Sequence, residues 1–270
     1  MDKIFTFLHS GDAGDIIAGL AAVKEICEKE NAKALLFLDT TGGYTCNDDE
    51  LNRIVLAQSR NIGLRFNDKM FDFIEPLISA QPYIAKVEKW NPNVQVDINY
   101  NLNEFRRKFV DKEIGKLTNQ NLVFLHQVAF ELNFGYKGAW LFPTDNSTKH
   151  GIIISRSSRM QSAHAFFVAH ENQFKDQAEL IGTDFEYELF ENAMQYKVKR
   201  LDIENNALNA LNAIANSEIF IANSTLFYWL GVGCGHKNLI HELPLDVWTS
   251  YFPNQNPNTI HYLQGLHFIK

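Results

Sequence analysis

Short apolar runs alternate along this chain with longer stretches whose apolar residues recur at helical spacing. Ile4 to Leu8 reads as a short buried strand, and Ile16, Ile17, Leu20, Val23, Ile26 and Cys27 then mark one face of a helix. Ala34 to Leu38 is a second apolar run, ending in Asp39-Thr40-Thr41-Gly42-Gly43. Strand, helix and strand of these lengths predict a βαβ unit with a right-handed crossover. Phe71, Ile74, Leu77 and Ile78 predict a helix that stops before Gln81-Pro82. Ile84 to Trp90 reads as a third strand and Val94 to Ile98 as another extended segment. Leu122, Leu125, Val128, Ala129 and Leu132 make an amphipathic helix stopped by Gly135.

The pattern then breaks. Pro143-Thr144-Asp145-Asn146-Ser147-Thr148 is a run of turn formers and reads as an interdomain linker. It separates an expected first domain, 1–143, from a second, 149–270. The second half restarts with the apolar strand Gly151 to Ser155. Phe174 to Glu179 reads as helical, Leu180 to Thr183 as a strand end and Phe185 to Met194 as a helix. Leu208, Leu211, Ile214 and Ala215 give another helix, Glu218 to Ala222 a strand, Ser224 to Val232 a helix and Leu239 to His241 a last strand. The expectation is α/β, with two halves that each open on an apolar strand.

Composition narrows the setting. No run of 18 apolar residues predicts a membrane span, and no basic, apolar and cleavage-site sequence predicts a signal peptide. Cys27, Cys46 and Cys234 are odd in number and far apart, which points to a reducing compartment, a cytoplasmic protein and no zinc site. The net charge of −7 argues against nonspecific nucleic-acid binding. The densest basic stretch, Arg106-Arg107-Lys108 with Lys112 and Lys116, reads as a solvated helix face, or alternatively as a patch touching an acceptor. No metal site is expected. H-E-x-x-H is absent, His164 and His170 are badly spaced for one helix face, and His126 and His150 stand isolated in sequence. Ser224 is not in G-x-S-x-G.

Candidate chemistry gathers in four loops after strands, where open α/β sheets bind ligands. The first is His9-Ser10-Gly11-Asp12-Ala13-Gly14-Asp15. It lacks the G-x-G-x-x-G order and a P-loop lysine, and its two carboxylates would repel a phosphate. A carboxylate there suits proton abstraction from a hydroxyl, although Asp12 or Asp15 could equally cap the helix. The second, Ser155-Arg156-Ser157-Ser158-Arg159, offers two guanidiniums for a phosphate. The third, Gly182-Thr183-Asp184-Phe185-Glu186, carries carboxylates that could hold ribose hydroxyls or else cap a helix. The fourth, Ala222-Asn223-Ser224-Thr225, places hydroxyls and amides at a helix N-terminus, an anion site.

Gly14-Asp15-Ile16-Ile17-Ala18-Gly19-Leu20 and the late stretch Ile214 to Thr225, with Leu230-Gly231-Val232-Gly233, resemble the ADP-heptose:lipopolysaccharide heptosyltransferases and related GT-B glycosyltransferases. The resemblance covers most of the chain in architecture and few identities. It implies two Rossmann-like domains facing a cleft, and metal-independent, inverting transfer of a sugar from a nucleotide-diphosphate donor to an acceptor hydroxyl, with no cofactor. Asp15 then matches the general base, assisted by Asp12 or His9, with Ser10, Gly11 and Gly14 lining the acceptor side. Arg156 or Arg159 would meet the diphosphate, Gly182 and Glu186 the nucleoside, and Asn223, Ser224 and Thr225 phosphate. The acceptor is a glycan or another hydroxyl, with a hydroxymethylated DNA base as an alternative. Ala222 stands where the family usually has Gly, and Leu226-Phe227 where it has Gly and a small residue. Other readings are a binding module without catalysis, or a sugar-nucleotide epimerase using His9 with Glu186.

Overall fold

A computed structural model describes residues 3–41, 66–110, 121–133, 135–158, 161, 165–243, 259–263 and 266–267. Arg159, Cys46, Gly42, Gly43, Lys112, Lys116 and His164 lie outside the described residues. The chain divides into two units, 1–135 and 136–270.

The first unit runs β1 (Lys3–His9), α1 (Ala13–Glu30), β2 (Ala32–Leu38), α2 (Asp68–Ser79), β3 (Ile84–Lys89), β4 (Tyr100–Asn101), a 3-10 turn (Leu102–Glu104), α3 (Phe105–Val110) and α4 (Leu122–Ala129). Its sheet has the order β3-β2-β1-β4, with all pairs parallel. Helix α1 exists because Ile16, Ile17, Leu20, Val23 and Ile26 bury one continuous face. It stops where Asn31 takes a left-handed conformation (φ 46°) and returns its N–H to the carbonyls of Cys27 and Glu28. Val94 to Ile98 is irregular rather than a strand. Asn99 Oδ1 accepts from the Thr6 amide (2.9 Å), and Thr6 Oγ1 donates to the Asp97 carbonyl (2.5 Å), so side chains replace ladder bonds there. The helix expected to run to Leu132 ends at Ala129. Glu131 turns left-handed (φ 54°), and the Gln127 amide bonds the Gly135 N–H and carbonyl, each at 3.1 Å.

The second unit runs β5 (His150–Ser155), α5 (Ala165–Ala169), α6 (Glu171–Gln177), β6 (Ala178–Leu180), α7 (Asp184–Met194), β7 (Lys199–Arg200), α8 (Ala207–Ala215), β8 (Ser217–Asn223), α9 (Leu226–Gly233), β9 (Leu239–Leu243), β10 (Thr259–Leu263) and β11 (Leu266–His267). The sheet order is β11-β10-β9-β8-β5-β6-β7, parallel except for the β10–β11 pair. A core of Ile152, Ile154, Phe167, Phe174, Leu180, Phe190 and Ile221 fills one face. The segment expected as a linker is tied into this unit. Trp140 and Leu141 are buried and donate to the Gly233 carbonyl at 2.9 and 3.0 Å, while Asn212 Oδ1 accepts from the Thr144 and Asp145 amides. Among the described residues, no helix is long and apolar enough to cross a membrane.

Candidate functional site

The first unit's site is the loop between β1 and α1. Asp12 is the N-cap of α1 by position, but its side chain makes no capping hydrogen bond. Asp15 sits in the first turn, where the helix dipole favours a carboxylate. Its Oδ2 pairs with the Arg106 guanidinium, and both side chains are largely buried. Among the described residues its Oδ1 makes no hydrogen bond. Arg106, whose sequence context reads as a solvated helix face, therefore orients the candidate base. The same guanidinium lies 4.9 Å from the Phe105 ring centroid.

His9 is entirely buried. Its Nδ1 accepts the Gly11 N–H at 2.9 Å, and its Nε2 lies 3.1 Å from His126 Nε2. His126 Nδ1 lies 2.7 Å from the Leu122 carbonyl, which can only accept, so Nδ1 carries the proton and Nε2 is the acceptor. His9 must then donate from Nε2, which leaves its Nδ1 lone pair for Gly11. The partners assign one tautomer to each ring, and both rings are neutral. Burial, the neighbouring His126 and the Arg106 charge hold His9 well below the usual imidazole range, against a backbone contact at Asp15 that raises it. Burial pushes His126 down to about 3, with the Arg106 charge adding to the shift. His126 is thus not isolated. Phe105 stacks on it at 4.1 Å, and Gly19 of α1 makes room for it, since a Cβ at Gly19 would sit 2.9 Å from His126 Nε2. Ser10 presents its N–H to Asn103 Oδ1 at 2.9 Å.

This pair fixes an acid dependence. Both imidazoles titrate near 6.5 when unfolded and far lower when folded, so the unfolded chain binds more protons between those values. Their contribution to stability is intact above pH 6.5 and falls as pH drops toward the folded values. At pH 5, between 6.5 and about 3, the expected loss from His126 is about 2 kcal/mol, and His9 adds to it in the same direction. Urea unfolding at pH 7.5 and 5 measures it, and replacing His126 with Phe should make the pH dependence clearly smaller.

In the second unit, three candidate loops follow neighbouring parallel strands, β6, β5 and β8. Arg156 is buried. Its Nε and Nη2 bond the Glu242 carboxylate of β9 at 2.8–3.0 Å, with both side chains 1% exposed. Its guanidinium also lies 5.1 Å from the Phe167 ring centroid. Arg156, expected with Arg159 as an alternative to meet a diphosphate, here faces the Glu242 carboxylate. Asn223 joins two of the loops, accepting from the Ser157 N–H at 3.2 Å and donating to the Ser157 carbonyl at 3.0 Å. Ser224 Oγ lies 2.8 Å from His241 Nε2, and Tyr228 stacks on His241 at 3.9 Å. Thr225 stands at the N-cap of α9 without a side-chain capping bond. Glu186 closes a capping box: its Oε2 accepts from the Thr183 N–H (2.9 Å) and Oγ1 (3.0 Å), while Thr183 Oγ1 accepts from the Glu186 N–H. Gly182 packs against that carboxylate.

Sequence reasoning missed His126, Gly19, Asn103, His241 and Glu242. For His126 the signal was a histidine on the apolar face of its helix. For Glu242 it was a carboxylate inside the apolar run Leu239 to Leu243.

Among solved structures, the chain is similar to a family 9 glycosyl transferase from Veillonella parvula, with a TM-score of 0.61 and 8% identity over 97% of this chain and 86% of that one. It is also similar to ADP-heptose lps heptosyltransferase II of E. coli, with a TM-score of 0.52 and 9% identity over 96% and 90% of the two chains. The fold is that of the GT-B glycosyltransferases. A third similar structure is TibC, an iron-containing dodecameric glycosyltransferase of enterotoxigenic E. coli (TM-score 0.55, 11% identity, 98% of this chain and 64% of that one). No protein-family model matches the sequence, and no curated protein matches it either. Among the described residues, no three His, Cys, Asp or Glu side chains are grouped to hold a metal ion.

Proposed function

We propose that this protein transfers a glycosyl group from a nucleotide-diphosphate sugar to an acceptor hydroxyl. The observation that carries the reading is the Asp15 carboxylate after β1, held by Arg106 at one oxygen, in a fold shared with glycosyltransferases. Asp15 takes the proton from the acceptor hydroxyl as its oxygen attacks the anomeric carbon. The sugar–phosphate bond breaks, and the departing diphosphate takes its electron pair. A single in-line displacement inverts the anomeric centre. The diphosphate is stabilised by the N-terminus of α9 and the Ser224 and Thr225 hydroxyls, with Arg159 as the proposed guanidinium partner, while Glu242 holds Arg156 at the start of its loop. Asn223 holds the Ser157 loop in register for the same contact. Gly182 and the Glu186 helix flank the nucleoside.

Heptosyltransferase TibC has been solved with ADP-D-beta-D-heptose and WaaC of E. coli with ADP. ADP-heptose is therefore the first donor to try, with a glycan acceptor. A thermal-shift screen against ADP-, UDP-, GDP-, CMP- and dTDP-sugars tests the proposal. A donor at about 100 times its Kd should add roughly 2.7 kcal/mol of stability, a rise of several degrees in melting temperature. A flat response to every nucleotide-sugar would overturn the transferase reading.

A further inference from the structure

We propose that His126 is a positioning residue for Asp15, acting through His9 and the backbone of Gly11. The inference rests on the reading of Asp15 as the base, and it adds a residue that neither the loop nor its sequence pattern contains.

Two paths join His126 to Asp15, both within the first unit. The first runs through hydrogen bonds. The Leu122 carbonyl orients His126 so that its Nε2 accepts from His9, and His9 Nδ1 then captures the Gly11 amide at 2.9 Å. Gly11 is wedged between that ring and the candidate base: a Cβ there would lie 2.6 Å from His9 Cε1, 2.9 Å from Asp15 Cβ and 3.0 Å from Asp15 Oδ2. Only a residue without a side chain fits the wedge, so the place of His9 sets the place of the Asp15 carboxylate. The second path runs through packing. Phe105 lies flat on His126, with an interplanar angle of 18°, and the next residue, Arg106, takes Asp15 Oδ2. Helix α4 thus fixes the base from both sides without touching it.

The imidazole supplies something an apolar residue cannot. An acceptor at position 126 forces the His9 proton onto Nε2, and that alone leaves Nδ1 able to receive Gly11. With Phe at 126, the stacking on Phe105 persists but the acceptor is gone. The His9 proton can then move to Nδ1, where it opposes the Gly11 N–H.

The test uses the full chain with His126→Phe and His126→Gln, the latter offering a carbonyl oxygen to His9. Long-range proton–nitrogen spectra of the wild type should show His9 protonated at Nε2 and His126 at Nδ1. In His126→Phe the Gly11 amide should exchange about 10-fold faster. With an active donor–acceptor pair, kcat should fall about 10–100-fold at an unchanged donor KM, the penalty of a small misplacement of a reacting group. His126→Gln should restore both readouts to within about 3-fold, since it restores the acceptor. Unchanged Gly11 exchange in His126→Phe overturns the coupling, whatever the activity. Faster exchange with wild-type kcat overturns the positioning role. If His126→Phe does not fold, a folded His126→Gln with kcat reduced about 10-fold or more overturns it instead. Absence of turnover in the wild type itself would sink the transferase reading, while the exchange measurement still decides whether His126 sets the loop.

Discussion

Asp15→Asn abolishes transfer and leaves donor binding intact. Asparagine keeps the size and the place in the first turn of α1 but cannot take a proton, so the loss should be about 10²–10⁴-fold in kcat, the usual worth of a general base. Donor Kd, read by calorimetry, should stay within about 2-fold, because the proposed donor contacts come from other loops. The substitution also releases Arg106 from a charged partner. Part of any stability change therefore reflects a largely buried guanidinium left beside a neutral amide, and the melting temperature must be recorded next to the rate. Loss of donor binding, or retention of kcat, would return Asp15 to a structural role in its ion pair.

The second large effect is on stability. Glu242→Gln removes the charge that faces Arg156 in a pair that is 1% exposed on both sides. Breaking such a pair by one partner costs about 3–5 kcal/mol, because the remaining charge stays in a low-dielectric site. A clear drop in the urea midpoint is expected. Replacing both residues together, Arg156→Met with Glu242→Leu, should recover most of it, since two apolar chains of similar volume carry no desolvation penalty. If Glu242→Gln instead unfolds like the wild type and loses donor affinity, Arg156 works at the ligand and the burial argument fails.

Much of the fold was legible because its elements are strongly periodic. β1, α1, β2, α2, β3, β5, α7, α8, β8 and α9 fall where apolar runs and helical faces predict them. Other elements escaped for physical reasons. β7 has two residues and β6 three, too few to show a period. Tyr100–Asn101 pairs with β1 only because Thr6 and Asn99 bring the chains together through side chains, a long-range event with no local trace. Within the candidate site, a glycine-aspartate turn after an apolar run signals its own importance, and Asp15 stands out from it. What Asp15 meets does not. Arg106 lies 91 residues away in sequence and sits among other basic residues that are indistinguishable from it by type. Arg156 shows the opposite case. Arginine beside serines after a strand reads as an anion site, and only the fold reveals that the partner is a carboxylate two strands away in the same sheet. Glu186 illustrates a third kind: the spacing Thr183 to Glu186 already carried the capping pattern that the structure realises.

The ion pair at Asp15 alters the electrostatic balance of the first loop. Asp12 and Asp15 would together present two negative charges, the ground for keeping phosphates away from it. Arg106 cancels one of them locally. Asp12 is exposed, so its charge is screened beyond about 8 Å at physiological ionic strength. An acceptor bearing phosphate or carboxylate groups of its own therefore meets less repulsion at this loop than two aspartates alone would give, and what repulsion remains should weaken with added salt.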